Sequence, residues 1–150
     1  MDGLRKQEIA MVQKVKEEFT DIPFLTVYDS WPDEEIKIPS VVVDPQEIQL
    51  KEFEMGSRKR LRLRNWNIEI YASNKTQRNE VAYRLLELFE EQKIAVYDYD
   101  QGFDNPPRAG TLLVFKIEFT PIAILPELVE KMFYRGVVSI STEFDDYSRR

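Results

Sequence analysis

Apolar residues at Leu4, Ile9, Met11, Val12, Val15 and Phe19 lie near one stripe at helical spacing, with lysines and glutamates between them. The spacing predicts an amphipathic helix over 4–19, docked on a sheet. Thr20-Asp21-Ile22-Pro23 ends it, because a proline ring disfavours helical backbone at the residue before it. A second helix is expected over 76–92, with Val81, Ala82, Leu85, Leu86 and Phe89 as its stripe and Ser73 or Asn74 as its cap.

Between and after the helices the pattern changes to strands. Residues 24–28 form a short strand candidate, and 29–35 read as a loop from their turn residues. Residues 36–43 are rich in β-branched side chains, with Pro39 at an edge or bulge. Asp44-Pro45 reads as a turn, Ile48, Leu50 and Phe53 as a further strand, and Met55-Gly56-Ser57 as a hairpin turn. Strands are also expected at 94–99, at 111–120 with Leu113, Phe115, Ile117 and Phe119 on one face, and at 137–144. Residues 100–110 read as a polar loop, Leu128, Val129 and Met132 suggest a short helix or turn, and 145–150 form a polar tail.

The longest strand signal, 58–72, changes parity: Leu61 and Leu63 are odd, whereas Trp66, Ile68 and Ile70 are even. Side chains alternate along a regular strand, so either a bulge lies near Arg64-Asn65 or the two halves bury opposite faces. The second reading is preferred here. It makes 58–64 part of an arm, a charged hairpin over about 47–64 that projects from the domain. The whole is one α+β domain over 1–150: an antiparallel or mixed sheet of about five to six strands, with two main helices on one face.

Composition narrows the chemistry. The chain contains no histidine and no cysteine. Catalytic triads, Cys–His pairs, zinc sites and disulfide frameworks therefore fall away. Carboxylates with Mg²⁺, paired carboxylates and lysine chemistry remain. No apolar run approaches the roughly 20 residues of a membrane-spanning helix, and the first residues lack the apolar core of a signal peptide, so a cytoplasmic site of synthesis is expected.

Charge singles out two stretches. Arg58, Lys59, Arg60, Arg62 and Arg64 carry five positive charges on a chain of net charge −6, leaving −11 on the rest. On a strand the four arginines point the same way and repel each other unless something anionic faces them. Three readings follow: an acidic protein surface, a phosphate backbone, or a solvated edge guarded against aggregation. The acidic remainder of the chain favours a protein partner, and with it Asp98, Asp100 and Asp104 as the complementary acids. Those aspartates also invite a metal reading. However, the spacing does not match an EF-hand, which requires a glutamate at its twelfth position. No cofactor or metal is expected, and the chain is read as a non-enzyme. A Mg²⁺-dependent phosphoryl-transfer enzyme using Asp98, Asp100 and Asp104, or a nucleic-acid-binding module, stands as the alternative class.

Several segments carry a resemblance. They are Ile38-Pro39-Ser40-Val41-Val42-Val43-Asp44, Gly56-Ser57-Arg58 with Arg64-Asn65-Trp66, Ile68-Glu69-Ile70-Tyr71-Ala72-Ser73-Asn74-Lys75-Thr76-Gln77-Arg78, and Val96-Tyr97-Asp98-Tyr99-Asp100-Gln101-Gly102-Phe103. Together they resemble the small neck proteins of tailed bacteriophages, the tail-terminator, tail-completion or head–tail joining group. The resemblance implies a sheet with two helices on one side and a ring, commonly a hexamer, at the head-proximal end of the tail. It implies no active site. Implied partners are further copies of the chain, tail-tube protein and neck or connector proteins, with passing contact to DNA in the channel. The implied location is the virion, after assembly in the host cytoplasm. A head-closure or adaptor ring is the alternative within the same class.

Overall fold

The computed structural model describes residues 3–22, 25–29, 38–52, 60–91, 93–100, 102, 104–122 and 134–147. In chain order the elements are α1 (Gly3–Glu18), β1 (Thr26–Tyr28), β2 (Ser40–Glu52), β3 (Arg60–Ala72), α2 (Lys75–Glu90), β4 (Lys93–Tyr97), β5 (Arg108–Ile122) and β6 (Tyr134–Asp146). The expected α+β class is the class observed. Among the described residues, six strands form one sheet in the order β1-β2-β3-β6-β5-β4, and only the β1–β2 pair is parallel. The expected hairpin turn at Met55-Gly56-Ser57, the element around Leu128 and most of the 29–35 loop fall outside the described residues.

Both helices supply one core on one face of the sheet. Met11 and Val15 of α1 and Leu85 and Phe89 of α2 join Trp66, Ile68, Ile70, Leu112 and Ile140, all essentially inaccessible to solvent. Each such side chain contributes about 1.5–3 kcal/mol by leaving water. α2 lies over the central strands β3, β6 and β5. α1 touches β4 at one edge of the sheet and β1 and β2 at the other, so the sheet curls around it.

Local chemistry sets the helix ends. Asn74 caps α2: its side-chain oxygen accepts the Gln77 backbone N–H at 2.8 Å, and Gln77 Oε1 accepts the Ser73 N–H at 2.9 Å, a reciprocal arrangement close to a capping box. Arg84 of α2 ties down the far end of α1. It donates to Glu18 Oε1 at 3.2 Å and to Asp21 Oδ1 at 2.8 Å, and stacks 4.9 Å from the Phe19 ring centroid.

Four expectations are corrected, two of them by bulges. Asp44-Pro45 is not a turn, because β2 runs through it. Pro45 faces Trp66 and Ile48 faces Arg64, so Gln46 and Glu47 together stand opposite Asn65. A bulge tolerates the proline that a regular inner strand would not. In β5 the extra residue is Phe115, between Val114 (opposite Thr142) and Lys116 (opposite Ser141). The inward set is therefore Leu112 and Val114 before the bulge and Ile117 and Phe119 after it, not Leu113, Phe115, Ile117 and Phe119. The third correction concerns limits: β4 stops at Tyr97, β5 begins at Arg108 inside the expected loop, and Asp145 and Asp146 belong to β6 rather than to a tail.

The fourth correction is in β3. This strand has no bulge and does not switch faces between residues 64 and 72. Its pairing with β6 runs unbroken from Leu63↔Glu143 to Ala72↔Tyr134. Arg64 simply occupies an inward position in line with Trp66, Ile68 and Ile70, and is 6% exposed. A guanidinium can replace an apolar side chain there because its stem packs and its head finds partners inside the fold. The tip of the expected charged hairpin lies outside the described residues, although its stem is seen where Glu52 pairs with Arg60.

Candidate assembly surfaces

The arginine strand divides once it is folded. Arg58 and Lys59 lie outside the described residues, and Arg60 is placed by its backbone, opposite Glu52. Arg62 is half-buried and donates to Asp146 at 3.2 Å. Arg64 donates to Glu8 Oε1 at 2.9 Å and to the Leu4 carbonyl at 3.2 Å, and its guanidinium lies 4.5 Å from the Trp66 ring centroid. Its Nε has no hydrogen-bond partner. Arg64 is thus engaged within its own chain and is not a surface charge offered to a neighbour.

The acidic stretch also meets a cation of its own chain. Lys6 Nζ lies 3.0 Å from Asp100 Oδ2 and 3.1 Å from Asp98 Oδ1. Its hydrogen bonds, first to Asp100 and then to Asp98, hold the Lys6 ammonium above its usual range. Asp98 Oδ1 also accepts the Asp100 N–H at 3.0 Å. The structure therefore brings Asp98 and Asp100 together, around an ammonium, while Asp104 stands exposed. Among the described residues, no group of three or more acidic side chains is arranged to hold a metal ion. Sequence reasoning missed Lys6 and Glu8 because both lie on the polar side of the α1 stripe, far in sequence from their partners.

Among the described residues the middle of the outer face of the sheet is polar, whereas toward β1 Ser40, Val42 and Tyr71 on that face are buried. Ser141 Oγ donates to Asn65 Oδ1 at 2.8 Å, and Ser139 Oγ to Asn67 Oδ1 at 3.2 Å. At one end of this face Glu69 is half-buried, with Arg135 3.6 Å from Oε1, too far for a good hydrogen bond, and no partner on Oε2. Burial, aided by the nearby Asp44 charge and opposed by Arg135, pushes the Glu69 carboxyl above the usual carboxylate range. A raised folded-state pKa stabilises below the unfolded value and loses that contribution as pH rises through the folded one. Glu69→Gln should therefore be neutral or stabilising at pH 7. That advantage should shrink as pH falls through the raised folded-state pKa and be gone below about 4, where the carboxyl is protonated in both states, as read by urea unfolding at several pH values.

The feature that sequence patterning could not show is at the sheet edges. β1 pairs only with residues 40–42 of β2, and β4 only with residues 108–113 of β5. Among the described residues, β2 from 43 to 52 and β5 from 114 to 122 each have an open outer edge. Following the register across the sheet, Ile48, Arg64, Thr142 and Val114 form one row, and Val43, Ile68, Val138 and Phe119 another. The open stretches thus overlap in level over 43–48 and 114–119, on opposite edges, and both bulges fall in that overlap. The two edges run antiparallel to each other, since three antiparallel pairings separate them.

Among the described residues, the fold and this geometry define a two-helix, curled-sheet α+β protein with two half-open edges. No protein-family model matches the chain, and no curated protein matches it.

Proposed function

We propose that this chain is a ring-forming structural subunit of a bacteriophage neck, a tail-terminator or tail-completion protein that joins tail to neck in the virion. The observation that carries the reading is the pair of open half-edges. An open strand edge presents unpaired N–H and C=O groups and invites another strand. Two different edges that fit each other make a heterologous contact, which closes into a ring when the rotation per subunit closes. Here both edges lie at the same level and run antiparallel, so a ring axis along the strands joins β2 of one copy to β5 of the next without a shift. The segments Ile38 to Asp44 and Ile68 to Arg78, which carry the likeness to neck proteins, form the start of β2, the end of β3 and the first turn of α2. The reading assigns no catalytic residue. Partners are further copies of the chain, tail-tube protein and connector proteins.

Oligomeric mass tests it. Light scattering over a hundredfold concentration range, alone and with tail-tube protein, should show monomer or weak oligomer giving way to one closed ring. A dimer that persists on dilution and never grows would contradict it. Assembly only with connector protein would move the role to head closure. Duplex-DNA binding with a steep salt dependence and no ring would favour a nucleic-acid module.

A further inference from the structure

A cavity of about 420 Å³ lies on the core face, between the first turn of α1 and the sheet near Ile48 and Arg62. Leu4, Ile48 and Phe144 form its apolar walls. Leu4 and Ile48 are 47% and 41% exposed, so the cavity is open to water. Its polar lining is rich in donors: the guanidinium groups of Arg62 and Arg64 and the side-chain amide of Gln7. Arg64 is 6% exposed and Gln7 5%. The terminal nitrogens of Arg64 donate to the Leu4 carbonyl and to Glu8, but its buried Nε has no acceptor among the described residues. A buried donor without an acceptor is costly, and its presence in a cavity wall points to a ligand that supplies one. Gly3, where α1 begins, also lines the cavity. The first turn of α1 holds no acidic residue, so its own side chains do not neutralise the positive end of the helix dipole.

We propose that this cavity binds a monocarboxylate carried on a small apolar body. Charge selects the head group. Arg62 lies 3.2 Å from Asp146 and Arg64 2.9 Å from Glu8, so each guanidinium charge is already matched by a carboxylate. What remains is the helix end, equivalent to roughly half a positive charge. One carboxylate suits that remainder. A phosphate dianion or a nucleic-acid backbone would bring excess negative charge up to Glu8 and Asp146. Hydrogen bonding selects the same group: one oxygen accepts the Arg64 Nε–H, and the other meets the Gln7 amide and the remaining N–H groups of Arg62. The apolar body then covers Leu4, Ile48 and Phe144, and the volume falls within the roughly 300–1,000 Å³ of small-ligand sites. The site is built within a single chain, so ring assembly is not needed to form it.

The test is a titration of the full-length, nitrogen-15-labelled chain, following the Arg64 Nε–H resonance by NMR. The probes are N-acetyl-leucine, its uncharged amide, octanoate and inorganic phosphate. N-acetyl-leucine and octanoate should each shift the resonance saturably, with Kd on the order of millimolar. The amide should bind about tenfold more weakly or worse, since it lacks the charge that the donors meet. Phosphate should leave the resonance in place. Arg62→Gln and Gln7→Leu should each keep a melting temperature close to the parent's and weaken N-acetyl-leucine binding, Arg62→Gln by about tenfold. Tighter binding of N-acetyl-leucine than of octanoate supports the site with a protein chain's C-terminus as its natural occupant, and the reverse order supports it with a free aliphatic acid. Equal binding of the acid and the amide would overturn the proposal, because the cavity would then be an apolar pocket only. Displacement of N-acetyl-leucine by phosphate would overturn it in favour of an unselective anion site. No shift with any probe, or the same affinity in the parent and both variants, would show that no such site exists. None of these outcomes depends on oligomeric mass, so failure here leaves the ring reading standing.

Discussion

Arg64→Ala is expected to destabilise the fold by about 3 kcal/mol, although a stretch of arginines on a strand reads as a surface feature. The side chain is 7% exposed, and its guanidinium is bonded to Glu8 and the Leu4 carbonyl and lies over Trp66. A hydrogen bond to a charged group contributes about 1.5–3 kcal/mol, and a desolvated cation–π contact about 1–2 kcal/mol. Glu8 would keep part of its hydration, being 24% exposed, so the stranded carboxylate costs less than in a fully buried pair. Arg64→Lys should not restore the loss, since one ammonium cannot reproduce the planar fork over an indole. Arg62→Ala, by contrast, removes one half-exposed bond to Asp146 and should cost about 1 kcal/mol or less. The measurement is urea unfolding of the three variants. Equal, small costs for Arg62→Ala and Arg64→Ala would show that the inward network does not hold the fold. A double cycle with Glu8→Gln should give a coupling of about 1 kcal/mol or more.

A larger loss is expected for Trp66→Ala, about 3–5 kcal/mol. Trp66 is fully buried in the middle of β3, and its Nε1–H donates to Thr142 Oγ1 on β6 at 3.0 Å. Deleting the ring opens a cavity between the sheet and the helices and removes the surface on which Arg64 lies. On a chain of this size each kcal/mol shifts the melting temperature by about 2–4 °C, so a drop of roughly 10 °C or more is anticipated. Trp66→Phe should behave differently. It keeps most of the volume, and the Thr142 hydroxyl retains the Arg64 carbonyl as an acceptor at 3.3 Å. A cost near 1 kcal/mol, the usual net worth of one hydrogen bond, is expected. If Trp66→Phe is as damaging as Trp66→Ala, shape rather than volume controls this part of the core.

The two variants probe a point where pattern reading went astray. Leu61 and Leu63 on odd positions suggested that the buried face of β3 changes, and the arginines between them suggested an arm. The face change assumed that an inward position must be apolar, while the tip of the arm lies outside the described residues. The signal that could have corrected the face change was in the chain: Arg64 continues the i, i+2 series of Trp66, Ile68 and Ile70. What the series could not supply was Glu8, which becomes a neighbour only when α1 docks against the strand.

The β5 error has the same origin in a different form. Leu113, Phe115, Ile117 and Phe119 alternate perfectly by number, yet one inserted residue moves the first two off the core face. Periodicity assumes a regular ladder, and bulges depend on what the partner strand can match. In β2 the proline at 45 advertised an interruption, but whether it became a turn or a bulge was settled by β3, which offered Trp66 and Arg64 as pairing partners on either side of it.

By itself the sequence determined the two helices, a cap at Ser73 or Asn74, the α+β class and the strand-rich segments. These follow from local periodicity and local hydrogen bonding, which the chain carries wherever it goes. It also determined the absence of imidazole and thiol chemistry. Only the tertiary structure decided which arginines meet carboxylates of the same chain, which residues the bulges expose, and which halves of β2 and β5 have no strand partner among the described residues. Those outcomes depend on strand order and register, set by contacts between residues far apart in sequence, and no local pattern encodes them.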